Sequence, residues 1–237
     1  MEIRTDSLNG AGRAPHQSFA DLALEPGEAL HVLHPQQIVA FRGESPQRED
    51  KLMNLKGMYR KKKLIRSRLT GPASMLLALP AGYTLQTLTL RESEDLLFEF
   101  RHLLFYTEGV EMKSVMLSFK NMIATKDVMR LKFSGEGSIG IMCAGPLREW
   151  KLDPEVASYI DTRSLIAYPH NAKIDLSVYG NHLASQHMHY QWKMTGSGSA
   201  LLQAGRPDAQ LEQFVGQDSL MKRLLREIVP FGGVWFK

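Results

Sequence analysis

The sequence predicts an all-β protein, and three observations carry that prediction. Short apolar and β-branched runs bounded by Gly, Pro, Asn or Asp recur from Phe19 to Gly205, the pattern of strands joined by turns. No helical periodicity is sustained before a C-terminal stretch that begins near Asp218. A glycine-containing turn, a serine and an apolar strand recur three times. Self-similarity of this kind marks repeated units, each burying its apolar face against the next.

Taken in order, residues 1–18 mix charged and polar side chains and read as an N-terminal tail without the apolar core of a signal peptide. Strands are expected at Ser74–Leu79, Tyr83–Leu90, Leu96–Phe100, Ile139–Cys143 and Ile174–Tyr179. Within Tyr83–Leu90, Leu85, Leu88 and Leu90 break strict alternation, which predicts a bulge or a change of buried face near Thr87. At the C-terminus Leu220, Met221, Leu224 and Leu225 share one face of a short helix over about 218–227, with Asp218 as N-cap. Pro230 and Gly232-Gly233 end it, and Val234–Phe236 reads as a last strand.

The three repeat turns begin at Gly71, Gly135 and Gly196, which are 64 and 61 positions apart. Leu103-Leu104-Phe105-Tyr106 follows the first as Leu165-Ile166-Ala167-Tyr168 follows the second, and Ile38-Val39-Ala40-Phe41 is a further match. Gly71, Gly135, Gly137, Gly196 and Gly198 read as turn glycines that permit positive φ or close strand approach. The expected organisation is two β-sandwich halves. The first spans 19–125 with a basic insertion at 47–68, and the second spans 126–237 with the C-terminal helix.

Among 237 residues there is one cysteine, Cys143, which excludes an internal disulfide and fits a reducing compartment. No charge-free apolar run reaches the ~18 residues of a membrane span. A cytoplasmic protein is expected, peripheral to a membrane at most.

The run from Phe133 to Ser177 contains, over Phe133–Tyr168, FSGEGSIGIMCAGPLREWKLDPEVASYIDTRSLIAY. This run, its segment Asp161–Tyr168 and the closing strand Thr195–Gly205 resemble the altered-inheritance-of-mitochondria protein family. The resemblance extends over roughly Phe19 to Gly205. It implies a fold similar to the tryptophan RNA-binding attenuation protein, with β-sandwich units of double-stranded β-helix type that often assemble as trimers. It also implies no agreed enzymatic activity, and a link of mitochondrial members to inner-membrane organisation and respiratory complexes. Here Gly71-Pro72-Ala73 stands in place of the family's G-x-G, and the 47–68 segment is unusually basic.

That segment is the main functional candidate. From Arg48 to Arg68 nine basic and two acidic residues give a net +7. Lys56, Arg60, Lys61, Lys62, Lys63, Arg66 and Arg68 are the candidate anion-binding set. They would neutralise phosphates with counterion release or meet anionic lipid headgroups. Only Tyr59 offers a stacking ring in the segment, which argues against nucleic-acid specificity. The plain alternative is a solvated loop or an edge strand whose lysines block association.

Other chemistry is sparse. His187-Met188-His189 would place two imidazoles on one strand face, yet no carboxylate lies within the unit, so these are weak metal candidates. No metal or other cofactor is expected. Cys143 sits in an apolar strand without an adjacent base, as a packing residue. Gly196-Ser197-Gly198-Ser199 leads into a strand and lacks G-K-[ST], so it is neither a nucleophile elbow nor a P-loop. No catalytic residue is assigned. Trp150, Trp192 and Trp235, with Phe41, Tyr106 and Tyr168, read as core or subunit-interface anchors. The expected function is therefore that of a non-enzymatic scaffold acting as a homo-oligomer, with a trimer favoured. Nucleic-acid binding through 48–68 is the alternative, and a metal-dependent enzyme using His187 and His189 comes third.

Overall fold

A computed structural model of the chain describes residues 1–6, 18–53, 65–117, 129–179 and 189–205. All regular structure among these residues is β-strand apart from three short 3-10 turns. The predicted C-terminal helix, the final strand and Trp235 lie outside the described residues.

The repeats organise the sheets. Unit one contains β2 (Phe19–Leu24), β3 (Ala29–Val32), β4 (Ile38–Arg42), β5 (Arg48–Leu52), β6 (Ile65–Thr70), β7 (Ala73–Ala78) and β8 (Tyr83–Leu90). Unit two contains β9 (Leu96–Phe98), β10 (Leu103–Thr107), β11 (Val110–Met116), β12 (Met129–Gly135), β13 (Gly137–Ala144) and β14 (Leu147–Lys151). Unit three contains β15 (Ser158–Asp161), β16 (Leu165–Pro169), β17 (Lys173–Tyr179), β18 (His189–Thr195) and β19 (Ser199–Gln203). In each unit a hairpin (β5–β6, β11–β12, β17–β18) is followed by the glycine turn and then by a strand that becomes the centre of the adjoining sheet segment.

Two sheets have six strands, in the orders β5-β6-β3-β10-β13-β8 and β11-β12-β9-β16-β19-β14. Each joins a hairpin and short strand of one unit to three strands of later sequence, through β3–β10 or β9–β16. The equivalence extends to irregularities. The register shifts between Ile38 and Ala40, between Leu103 and Phe105, and between Leu165 and Ala167, once at the same place in each unit. Buried residues from the first two units, with a few from the third, form one core, and a smaller core centred on Trp192 packs the third unit against the second.

Several sequence expectations change in this light. Residues 1–18 are not all tail, because β1 (Glu2–Asp6) pairs along its length with β2 and covers that strand's outer edge. The boundary expected at 125/126 falls between β11 and β12, which pair in continuous register from Val110↔Gly135 to Met116↔Met129. Residues 47–68 are not simply an insertion. Arg48–Leu52 and Ile65–Thr70 are the two strands of the unit-one hairpin. No bulge interrupts β8, whose pairing with β13 is unbroken. The other expectation holds: burial passes from Tyr83 and Leu85 on one face to Leu90 on the other, a change of buried face across Thr87.

Of the turn glycines, Gly135 has φ +97°, and a Cβ there would lie 2.6 Å from the Gly109 carbonyl oxygen. Gly71 has no positive φ. It is needed for space, since a Cβ would collide with the Glu25 carbonyl. Gly137, Gly196 and Gly198 stand at the equivalent β12–β13 and β18–β19 turns.

Candidate functional site

The junction between units is the most elaborated polar feature of the described residues. In β6 the alternation of a strand puts Arg66 and Arg68 on one face, and in β12 it puts Arg130 and Lys132 on the equivalent face. Arg66 donates to the Tyr106 hydroxyl at 2.5 Å. Tyr106 lies opposite His31 in the ladder, with ring centroids 4.8 Å apart. Arg68 reaches Glu108 through Nε at 3.1 Å and through a second guanidinium nitrogen at 3.3 Å. One unit further on, Arg130 donates to the Tyr168 hydroxyl and pairs with the buried Glu99 carboxylate at 3.1 Å. Burial raises the pKa of both tyrosines, so their hydroxyls stay protonated in these contacts.

The same burial holds His31 and His34 down at about 4. For His31 the nearby Arg66 adds to desolvation, while Glu108 opposes it.

The candidate cations are thus divided. Arg66 and Arg68 spend their guanidinium groups within the fold, while Lys56, Arg60, Lys61, Lys62 and Lys63 lie outside the described residues. The adjoining β5 is an edge strand with Arg48, Glu49, Asp50 and Lys51 along it. Charges so placed oppose edge-to-edge pairing.

Two other edges are built differently. β4 ends the four-stranded sheet β1-β2-β7-β4, and β15 ends the three-stranded sheet β15-β18-β17. By the repeat, β4 matches β10 and β16, while β15 matches β3 and β9. The two edges are therefore the halves of a third β3–β10-type junction, here left apart in different sheets. Their exposure shows it. Val39 is 53% exposed, whereas its equivalents Leu104 and Ile166 are 0% and 1% exposed. Tyr159 is 56% exposed, whereas its equivalents His31 and Leu97 are buried. An open depression of about 570 Å³, lined by Phe41, Gly43, Ser45, Arg48 and Asp50, lies beside the β4 edge.

The family model described as mitochondrial biogenesis AIM24 matches residues 13–205. The chain belongs to the mitochondrial biogenesis AIM24 family. This AIM24-family chain is also similar in fold to the crystal structure of protein SPYM3_0169 from Streptococcus pyogenes. The TM-score is 0.55 at 16% identity, over 96% of this chain and 100% of that one. No curated protein matches the AIM24-family chain by sequence.

The remaining sequence candidates do not gather into a site. No group of three or more metal-ligating side chains occurs among the described residues. His187 lies outside them, and His189 is described only as the first residue of β18. Cys143 is buried, and desolvation pushes its thiol up to about 12. Phe41, Tyr106 and Tyr168, grouped in the sequence as anchors, occupy one equivalent position in the three units. Val39, Tyr159 and Gln191 were not singled out from sequence. The usable signal was internal: Phe41 stands where the other units have Tyr, and Gln191 stands where they have Arg.

Proposed function

We propose that this AIM24-family chain is a non-enzymatic scaffold that assembles head to tail, the β4 edge of one copy pairing with the β15 edge of the next. The carrying observation is that positions buried at two junctions within the chain are exposed at both halves of the third. An unpaired strand edge favours pairing with another strand. A heterologous contact of this kind closes into a ring when its rotation permits, and a trimer is the state the family resemblance favours.

The register follows from the two complete junctions. Phe105↔Val32 and Tyr106↔His31 correspond to Ala167↔Phe98 and Tyr168↔Leu97. Carried to the third, they give Ala40↔Ile160, Phe41↔Tyr159 and Arg42↔Ser158 between copies. The scaffold would work in the cytoplasm or against a membrane surface, organising respiratory or other membrane assemblies, as the family resemblance implies. Light scattering on the purified chain tests the assembly. A mass near three times 26.7 kDa is expected, and a mass of one chain overturns the reading.

A further inference from the structure

We infer that the β8 edge makes a second, two-fold contact between copies of this chain, Thr84–Leu90 of one copy pairing antiparallel with Thr84–Leu90 of another about Thr87. The inference goes beyond the head-to-tail reading above and uses neither β4 nor β15.

Edge chemistry singles β8 out. Eight strands end the four sheets. Seven of them carry at least one Lys, Arg, Asp or Glu, whereas β8, the longest at eight residues, carries none. In β4 and β15 the charge is confined to the last residue, Arg42 or Asp161. Charged side chains along an edge oppose pairing with another chain, and an edge that lacks them is open to it. The two strands equivalent to β8 are protected in different ways. β2 is covered by β1, and β14 has Arg148, Glu149 and Lys151 among its five residues. Among the described residues β8 has neither cover nor charge.

The backbone defines what this edge offers. Tyr83 lies opposite Ala144 in the β8–β13 ladder, yet the main-chain groups of both are engaged elsewhere. Ala144 N–H donates to Gln203 Oε1 at 3.0 Å, and its carbonyl accepts from Gly205 N–H at 2.7 Å. Tyr83 N–H donates to the Pro80 carbonyl at 3.0 Å, and its own carbonyl accepts from Ser18 Oγ at 2.8 Å. Bonds toward and away from a neighbour alternate along an antiparallel strand. Tyr83 therefore turns its groups outward, where Pro80 and Ser18 take them, and Leu85, Thr87 and Thr89 turn theirs to the open edge. Ser138 agrees. It lies opposite Thr89, and its N–H donates to Thr107 Oγ1 at 2.9 Å, away from β8.

These three residues are spaced symmetrically about Thr87. A two-fold axis there puts Thr87 opposite Thr87 and Leu85 opposite Thr89 on either side, so every outward N–H and carbonyl of the three meets a counterpart. An axis at Gln86 would instead set Thr89 against Tyr83, whose groups are taken. Thr87 and Thr89 are exposed, and opposed threonines add to cross-strand pairing. The match is with the strand's own copy. That selects a second copy over an extended segment of another protein, for which this edge offers no charge to recognise.

The test is sedimentation of the full chain over a concentration series, with Thr87→Lys beside wild type. The contact buries few large apolar side chains, so it forms at higher concentration than the β4–β15 contact. Wild type is expected to double in mass, from three chains to six. Thr87→Lys sets two like charges opposite each other on the axis and is expected to weaken that doubling at least tenfold. Mild oxidation supplies a second measurement. Thr87→Cys is expected to give a linked dimer, because Cα atoms of a hydrogen-bonded pair lie about 5.5 Å apart. Thr84→Cys, also exposed but far from its own copy in this register, is expected to give little. Wild type that does not double, Thr87→Lys that doubles as readily, or equal linking of the two cysteine variants overturns the inference. Its failure is separable from failure of the head-to-tail reading. Passage from one chain to two removes only the β4–β15 contact, and a trimer that never doubles removes only the β8 contact.

Discussion

The Arg66 guanidinium donates to the Tyr106 hydroxyl at 2.5 Å across the junction between the first and second units. The same bond joins Arg130 to Tyr168 between the second and third. At the third, unfilled junction the equivalent positions hold Gln191 and Phe41. Both halves of the pair are replaced together, as expected if the two positions meet across a contact between copies. Restoring them should strengthen that contact. The Phe41→Tyr, Gln191→Arg double variant is expected to tighten self-association by about tenfold, corresponding to the ~1–1.5 kcal/mol of one hydrogen bond. Neither single variant should do so. A double-mutant cycle on the oligomer dissociation constant checks this, and additive single effects would refute the pairing.

The proposed register makes Arg42 of one copy face Ser158 of the next. Residues directly opposite in an antiparallel pair have Cβ atoms about 4.5–5.5 Å apart, close enough for a disulfide after small adjustment. Mixing an Arg42→Cys chain with a Ser158→Cys chain under mild oxidation should give a cross-linked dimer, and either chain alone should give little. Cys143 adds no background, because burial pushes its thiol up to about 12 and the thiolate is the reactive form. In the doubly substituted chain, a ladder of linked copies is expected on a denaturing gel. A monomer with an internal bridge would show instead that the chain closes on itself.

The fold class was legible in the sequence because turns and apolar runs are local, and so was the triple repeat, because Gly71, Gly135 and Gly196 recur at similar spacing. Which strands pair was not. The boundary expected at 125/126 falls between β11 and β12 because strand pairing depends on partners distant in sequence, which local pattern does not report. The basic segment drew attention through charge density, yet Arg66 and Arg68 are occupied by Tyr106 and Glu108. Charge counts do not show which cations have partners. The edges β4 and β15 were hidden for a related reason. Ile38–Phe41 looks like its buried equivalents, and only the sheet order shows that its outer side is open.

At Gly135 the requirement is conformational. With φ +97° and the Gly109 carbonyl 2.6 Å from the position of a Cβ, a Gly135→Ala change strains the β12–β13 turn and pushes it from β11. A loss of about 1–3 kcal/mol is expected, in the range for a residue held in a disfavoured backbone region. Urea unfolding measures it. Gly82 has φ +78° but nothing within 4 Å of a Cβ, so Gly82→Ala should cost less. Equal losses at the two sites would mean that close approach to Gly109 contributes nothing.

His34 couples the fold to pH. It is buried, its ring tilted 60° against Phe100 at 4.8 Å between centroids, and desolvation lowers its pKa to about 4 although the backbone at Phe100 and Leu103 pulls the other way. In the unfolded chain an imidazole titrates near 6.5. Between those values the unfolded state binds a proton that the folded state refuses. Stability is therefore complete above about pH 6.5, falls as pH drops toward 4, and levels off below. The slope from this one group is at most about 1.4 kcal/mol per pH unit. His31, also held at about 4, titrates in the same window and steepens the decline. A His34→Gln chain should be less stable than wild type at pH 7.5, because the packing against Phe100 is lost, yet lose less on acidification to pH 4.5. Urea midpoints for both proteins at pH 7.5, 5.5 and 4.5 measure the difference. Parallel declines would show that His34 is protonated as readily in the fold as out of it, and the acid sensitivity would then lie with other groups.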